Sequence, residues 1–304
     1  MIFKQAQIIF RTTRPNFLLL PPVCVLLGYS TALTTGASIK TTDVLLILTG
    51  AILAHISVNM LNEYYDFKSG LDFKTQKTSF SGGSGALPSS PELANMVLIF
   101  GLVSLVLTIF IGLFFILELG MQILPIGFIG IVLIASYTPW LNRLPLICLI
   151  SPGLGFGILM VVGTHVVLAG MNSILPWLVS LIPFFLINNL LLLNQYPDIK
   201  ADASVGRQTF PIFYGLKTSN AVFAFFILAT VSWILFLLVK DYLPMISIAA
   251  LIPMLFSLYS LIGVNKYSSD ISNYPKFMAA NVLSSLLTPL FLGTSIILAT
   301  HEVF

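Results

Sequence analysis

Nine apolar runs punctuate the chain, near residues 16–36, 43–62, 93–117, 121–138, 146–169, 173–194, 219–239, 243–263 and 277–300. Each is long enough, coiled as a helix, to cross about 30 Å of hydrocarbon. The third and fourth are nearly continuous, parted only by Glu118-Leu-Gly-Met-Gln122. Pro21, Pro22, Pro125, Pro183, Pro253 and Pro289 fall inside runs, which membrane helices tolerate when neighbours satisfy the freed carbonyls. The pattern predicts an all-α, polytopic membrane protein of about nine transmembrane helices. Most connections are short, but two polar stretches, about 63–92 and 195–218, are long and lie on one side of the bundle. Long loops on one face of a compact scaffold are where function concentrates.

Composition agrees with that pattern. The 304 residues are 57% hydrophobic and only 8% charged, against about 25% charged in a soluble domain. A soluble fold of this composition could not cover itself with polar surface, so the lipid bilayer is the expected partner. With nine spans, one side receives Lys4, Arg11, Arg14, Lys68, Lys74, Lys77, Arg143, Lys200, Arg207, Lys217, Lys266 and Lys276, which is twelve of the fourteen basic residues. The other side receives Lys40 and Lys240. That asymmetry marks the first side as cytoplasmic. The N-terminus and both long loops are then inside a bacterial or archaeal cell membrane, and His301-Glu302 lies outside. The net charge of +3 is loop charge facing anionic lipid; no clustered basic face suggests nucleic acid. The first fifteen residues read as a basic, partly amphipathic lead-in to the first span, since no small-residue cleavage site follows. Cys24 and Cys148 sit in apolar runs at no metal or redox spacing and are expected to pack without a disulfide.

The charge that remains is concentrated. Asn62-Glu-Tyr-Tyr-Asp66 with Asp72 follows the second run, and Asn194-Gln-Tyr-Pro-Asp198 with Asp202 follows the sixth. Asn62 and Asp66, Asn194 and Asp198, and Asp198 and Asp202 are each four apart, a spacing that stacks side chains on one helical face. Two such stripes facing each other would cage a hard cation held against a diphosphate. Oxygen donors without Cys or His favour Mg²⁺. Pro197 disfavours helix at Tyr196, and Gly70 predicts a bend before Asp72. One acid in such a loop would be read as solvating a helix end. Two matched clusters in so charge-poor a chain are not. The other seven acids, Asp43, Glu63, Glu92, Glu118, Asp241, Asp270 and Glu302, sit at span edges and fit the solvating role. Candidate cations for an anionic ligand are Lys68, Lys74 and Lys77, Lys200 and Arg207, and Arg14 and Arg143 at span ends. The segment Ser79-Phe-Ser-Gly-Gly-Ser-Gly85 could offer backbone N–H groups to an anion. His55, seven residues before Asn62 and offset slightly from its stripe, is read as a packing or interhelix hydrogen-bonding residue. The cytoplasmic tyrosines read as an interfacial belt, with Tyr137 also a candidate for lining a substrate site.

These residues resemble the UbiA superfamily of intramembrane aromatic prenyltransferases over nearly the whole length. The matches are Arg14-Pro15, Asn62-x-x-x-Asp66 with Asp72, Ser136-Tyr-Thr-Pro139, and Asp198-x-x-x-Asp202-x-x-x-Gly206-Arg-Gln-Thr209. The resemblance implies a single domain over 1–304, a helical bundle around a central cavity. Mg²⁺ would be bound by Asn62, Asp66, Asp72, Asn194, Asp198 and Asp202, with Asp66 and Asp198 catalytic. Arg14, Lys74, Lys77, Arg143 and Tyr137 would attend a polyprenyl diphosphate whose prenyl group passes to an aromatic acceptor. Asp66 followed by Gly70 and Asp72 is similar to the dihydroxynaphthoate polyprenyltransferase branch of menaquinone synthesis; the hydroxybenzoate branch more often has an Asp where this chain has Gly70. Glu63 stands where many relatives carry Asp. Ser151-Pro-Gly-Leu-Gly-Phe156 lacks the acid of the Gly-Leu-Gly-Glu pattern often found there, which leaves the acceptor open, 4-hydroxybenzoate included. A transporter is the alternative of a different class, because acids facing a bundle interior also mark ion pathways. The clusters lie at one face rather than near the midplane, which weighs against it.

Overall fold

The computed structural model describes residues 2–303 except Gln76 and Ser79; Ser79, the first residue of the glycine-rich segment, therefore lies outside the described residues. No strand occurs among those described. The helices are α1 (Ile2–Thr12), α2 (Leu20–Leu33), α3 (Thr41–Lys68), α4 (Ala94–Leu119), α5 (Leu124–Ser136), α6 (Pro145–Ala169), α7 (Ile174–Asn194), α8 (Phe210–Val239), α9 (Met254–Tyr267) and α10 (Pro275–Val303).

Eight segments among the described residues are long and apolar enough to cross a membrane, and the apolar helix Met121–Ser136 is the ninth expected run. At 1.5 Å per residue it spans only about 24 Å. Gly120, with φ of 83°, ends α4 and separates the two runs that the sequence nearly fuses. Helix α8 starts at Phe210, earlier than the apolar run, because Lys217 and Thr218 belong to the helix but interrupt the hydrophobic pattern. It kinks at Gly215. Helix α4 turns Ile99, Leu102, Val103, Val106 and Phe110 outward, the inverse of a soluble helix and the arrangement that hydrocarbon favours.

The core is centred on α7, where Ile182, Leu186, Leu192 and Leu193 are fully buried. Hydrophobic burial drives little association between helices already in lipid, so packing and interhelical hydrogen bonds carry the work. Asn189 donates to the Phe223 carbonyl at 2.9 Å, Asn281 to the Asn189 carbonyl at 3.1 Å and Ser285 to the Leu186 carbonyl at 3.2 Å. These tie α8 and α10 to α7. Pro152 interrupts the ladder of α6, and Gly153–Met160 continues as a π-helical stretch. The Asn188 side-chain oxygen accepts from the Gly153 N–H at 2.7 Å. Gly157 packs backbone to backbone against Phe184, with so little room that a Cβ would come within 2.5 Å of the Phe184 nitrogen. The two helices that carry this contact flank the site.

Candidate active site

Helix α3 ends in the first motif. Asp66 and Glu63 are buried in its last turns. Gly70 takes a left-handed conformation (φ 77°), reverses the chain and delivers buried Asp72 on a single 3-10 turn. Helix α7 ends at Asn194, three residues before Pro197, and a short helix, Ile199–Ala203, carries Asp202. Asn62, Asp66, Asp72, Asn194, Asp198 and Asp202 all line one polar cavity of about 110 Å³, together with Arg14, Tyr137 and Arg207.

Two arginines organise this cavity. Arg14 holds a left-handed backbone (φ 54°, ψ 65°) that non-glycine residues rarely adopt. Its side chain donates to Glu63 Oε1 at 3.0 Å and to Asn62 Oδ1 at 2.8 Å. Arg207 joins the motifs directly, donating to Asp202 Oδ1 at 2.9 Å and, through its other terminal nitrogen, to Asp66. The glycine-rich segment is fastened beside them. Ser84 donates to Glu63 from its backbone N–H (2.8 Å) and its hydroxyl (2.5 Å), and Gly82 N–H donates to Asp198 Oδ2 at 3.0 Å. Those N–H groups therefore serve carboxylates instead of standing open to an anion. Gly83, at φ 70°, lies so near that a Cβ would meet Asp72 Oδ1 at 2.9 Å.

The cavity is short of positive charge for the acids it holds. Burial, reinforced by Glu63 and Asp66, pushes the Asp72 carboxyl up to about 7. Burial and the neighbouring Asp202 push Asp198 up to about 7. Burial also raises Asp202, with Arg207 opposing the rise. Asp72 Oδ2 and Asp198 Oδ1 are sealed from solvent and have no hydrogen-bond partner. Buried carboxylate oxygens left without partners are costly, and a hard divalent cation is the group that such donors fit. Among the described residues no three His, Cys, Asp or Glu side chains form a ready metal cage, and the Arg207 guanidinium pairs with both Asp66 and Asp202.

A second cavity, of about 450 Å³ and mostly apolar, meets the first. Arg14, Asn62, Tyr137, Leu191 and Asn194 line both. It runs between α3, α4, α5, α6 and α7, and its walls include Leu113, Leu124 and Phe128, which are also exposed on the outside of the bundle.

A family model described as the UbiA prenyltransferase family matches residues 19–284. The chain belongs to that family. This UbiA-family prenyltransferase is 27% identical over 246 residues to the 1,4-dihydroxy-2-naphthoate octaprenyltransferase of Bacillus subtilis (strain 168), covering 78% of this chain and 75% of the relative. Its fold is shared with a UbiA homolog from Archaeoglobus fulgidus bound to GPP and Mg²⁺ (TM-score 0.63, 18% identity, 95% of this chain and 99% of that one). The same homolog bound to DMAPP and Mg²⁺ superposes with a TM-score of 0.61 at 18% identity, over 93% and 98% of the two chains. A digeranylgeranylglyceryl phosphate synthase structure superposes with a TM-score of 0.64 at 17% identity, over 94% and 99%.

Within the UbiA-family site, the basic residues expected from sequence divide. Arg14 lines both cavities, as does Tyr137. Lys74 is exposed and bridges the two loops through Ser204 Oγ at 3.3 Å. Lys77 is exposed alongside Gly85, and Arg143 is exposed; none of these three lines the polar cavity. Glu63 departs from its expected role: it is fully buried and anchors both Arg14 and the glycine-rich segment. Its signal was position, since it lies between Asn62 and Asp66 on the last turns of one helix. Arg207, read from sequence only as one loop cation among several, is the link between the motifs.

Proposed function

We propose that this UbiA-family enzyme transfers a polyprenyl group from polyprenyl diphosphate to an aromatic acceptor in a Mg²⁺-dependent reaction, with 1,4-dihydroxy-2-naphthoate as the acceptor. The observation that carries the reading is the junction of a small acidic cavity with a larger apolar one at Arg14, Asn62, Tyr137, Leu191 and Asn194. An amphiphile with a diphosphate head and a hydrocarbon tail fits such a junction, its scissile C–O bond lying where the two meet. Asp66, Asp72, Asp198 and Asp202 would hold the metal, with the side-chain oxygens of Asn62 and Asn194 beside them. When bound, Mg²⁺ supplies neutralisation of the leaving diphosphate. Arg14 and Arg207 add fixed positive charge at the head group; Lys74 and Lys77, exposed on their loop, do not line the cavity. The apolar walls exclude water from the allylic carbon as the C–O bond breaks and the electron-rich ring attacks. The ring regains aromaticity by losing a proton from an unsubstituted position or, with dihydroxynaphthoate, its carboxyl group as CO2.

Support for the acceptor comes from the Bacillus subtilis relative and from the Asp66–Gly70–Asp72 spacing. Purified enzyme with Mg²⁺ and labelled polyprenyl diphosphate, offered a panel of aromatic acceptors, should prenylate dihydroxynaphthoate in preference to 4-hydroxybenzoate, with products identified by mass. Asp66→Asn and Asp198→Asn should each lower kcat by about 10²-fold or more. Preference for another acceptor would overturn the naphthoate assignment; undiminished turnover in both variants would overturn the site.

A further inference from the structure

Helix α3 carries a polar stripe that does not stop at the acidic cavity. Asp66, Asn62, Asn59 and His55 follow one another at steps of four, three and four residues, which keeps them on one helical face. Asn62, Asn59 and His55 line the apolar cavity, and the stripe leads from its polar mouth about two turns into hydrocarbon. Polar groups at that depth are costly unless paired. Asn59 is paired, donating to the Thr13 carbonyl at 2.9 Å. Thr108 and Ser151, which also line the cavity, return their hydroxyls to carbonyls of their own helices.

His55 differs. Its ring is only 4% exposed and rests edge-on against Phe156, centroids 4.8 Å apart. Its Nδ1 has no hydrogen-bond partner and is turned out of reach of the cavity that His55 lines, so a ligand engages it only once the ring rotates. Packing alone would be served as well by Phe or Leu at this place, with no imidazole nitrogen to satisfy. Phe156, its neighbour, occupies the position where the sequence lacks an acid.

We infer that His55 is an acceptor-binding residue, its imidazole accepting a hydrogen bond from a hydroxyl of the aromatic acceptor while Phe156 packs beside the ring. This rests on the prenyltransferase reading above and assigns the acceptor's place: along the α3 wall, below Asn62, with the prenyl chain in the remaining apolar space. A hydroxyl bonded in this way would orient the ring and raise its electron density toward the allylic carbon. No proton transfer is assigned to His55. The acceptor class is therefore a hydroxylated ring that presents a second polar edge about two helical turns from the diphosphate.

The test uses the full-length enzyme in detergent or proteoliposomes. His55→Phe keeps the ring contact with Phe156 and removes the acceptor nitrogen; His55→Gln restores a hydrogen-bonding group. His55→Phe should raise KM for the hydroxylated acceptor at least 10-fold and leave KM for polyprenyl diphosphate within 2-fold, with His55→Gln intermediate. The wild-type preference for the free hydroxyl over its methyl ether should disappear in His55→Phe. Acceptor-induced thermal stabilisation, read without turnover, should fall in parallel, and this remains measurable if His55→Phe is poorly active. Unchanged acceptor KM and unchanged stabilisation in both variants, in an active wild-type background, would overturn the inference alone. A wild-type enzyme that prenylates no aromatic acceptor would overturn the functional reading, and the inference with it.

Discussion

At the scale of single residues, Glu63 is the most informative side chain in the site. It has no exposure, and Arg14, Ser84 and the backbone of the glycine-rich segment all depend on it. Glu63 is buried but Arg14 keeps 28% of its side chain exposed, so removing the carboxylate costs less than the about 3 kcal/mol of a fully buried pair. Glu63→Gln keeps the volume but loses the charge facing Arg14, so it should lower the melting temperature and cut turnover about 10- to 100-fold, with Glu63→Asp in between. Thermal melts and initial rates check this. Proton linkage gives a second expectation. Asp72 and Asp198 are raised from an ordinary 3.8 to about 7 in the folded chain, so the folded state binds more protons than the unfolded state between those values. Their contribution is fully present below about pH 4 and is lost as pH rises through 7. Metal-free enzyme should therefore melt at a lower temperature at pH 8 than at pH 5.5. Excess Mg²⁺, or Asp72→Asn together with Asp198→Asn, should flatten that dependence. A melting temperature that instead rises with pH in metal-free buffer would contradict the environment described for these two acids.

Among the elements, the contact between α6 and α7 sets the cavity wall. Gly157→Leu would drive a side chain into the Phe184 backbone, where even a Cβ comes within 2.5 Å. Overpacking of this kind costs about 1–3 kcal/mol. Because the displaced stretch includes Phe156 and Leu159, which line the apolar cavity, KM for the prenyl donor should rise with the loss of stability. Melting curves and donor titrations would show both. What the sequence revealed at this scale follows physical lines. The membrane helices were legible because hydrocarbon demands long apolar runs, and both motifs were legible because charge is rare here. The start of α8 was hidden, since Lys217 and Thr218 obey the helix but not the hydrophobic pattern. The π-helical stretch of α6 was hidden too, since it arises from Pro152 and from Asn188 on another helix. Lys77 and Arg143 illustrate a different limit: position near a motif in sequence does not decide which way a loop side chain leaves the backbone.

For the whole molecule, the distribution of basic residues sets the expected orientation. Ser38, between α2 and α3, and Ser269, between α9 and α10, are both exposed, whereas the native Cys24 and Cys148 are buried. A membrane-impermeant thiol reagent applied to intact cells should label Ser38→Cys and spare Ser269→Cys. The reverse pattern would invert the topology.

The fastening of the glycine-rich segment bears on traffic. With Gly82 tied to Asp198 and Ser84 tied to Glu63, the segment flanks the aqueous approach to the acids, while the apolar cavity is walled in part by the exposed Leu113, Leu124 and Phe128. A lipid-soluble donor can then arrive, and a lipid-soluble product depart, sideways through the bilayer. The released diphosphate has no such route. It leaves on the aqueous side, past Gly82 and Ser84, so donor and diphosphate use opposite faces of one site.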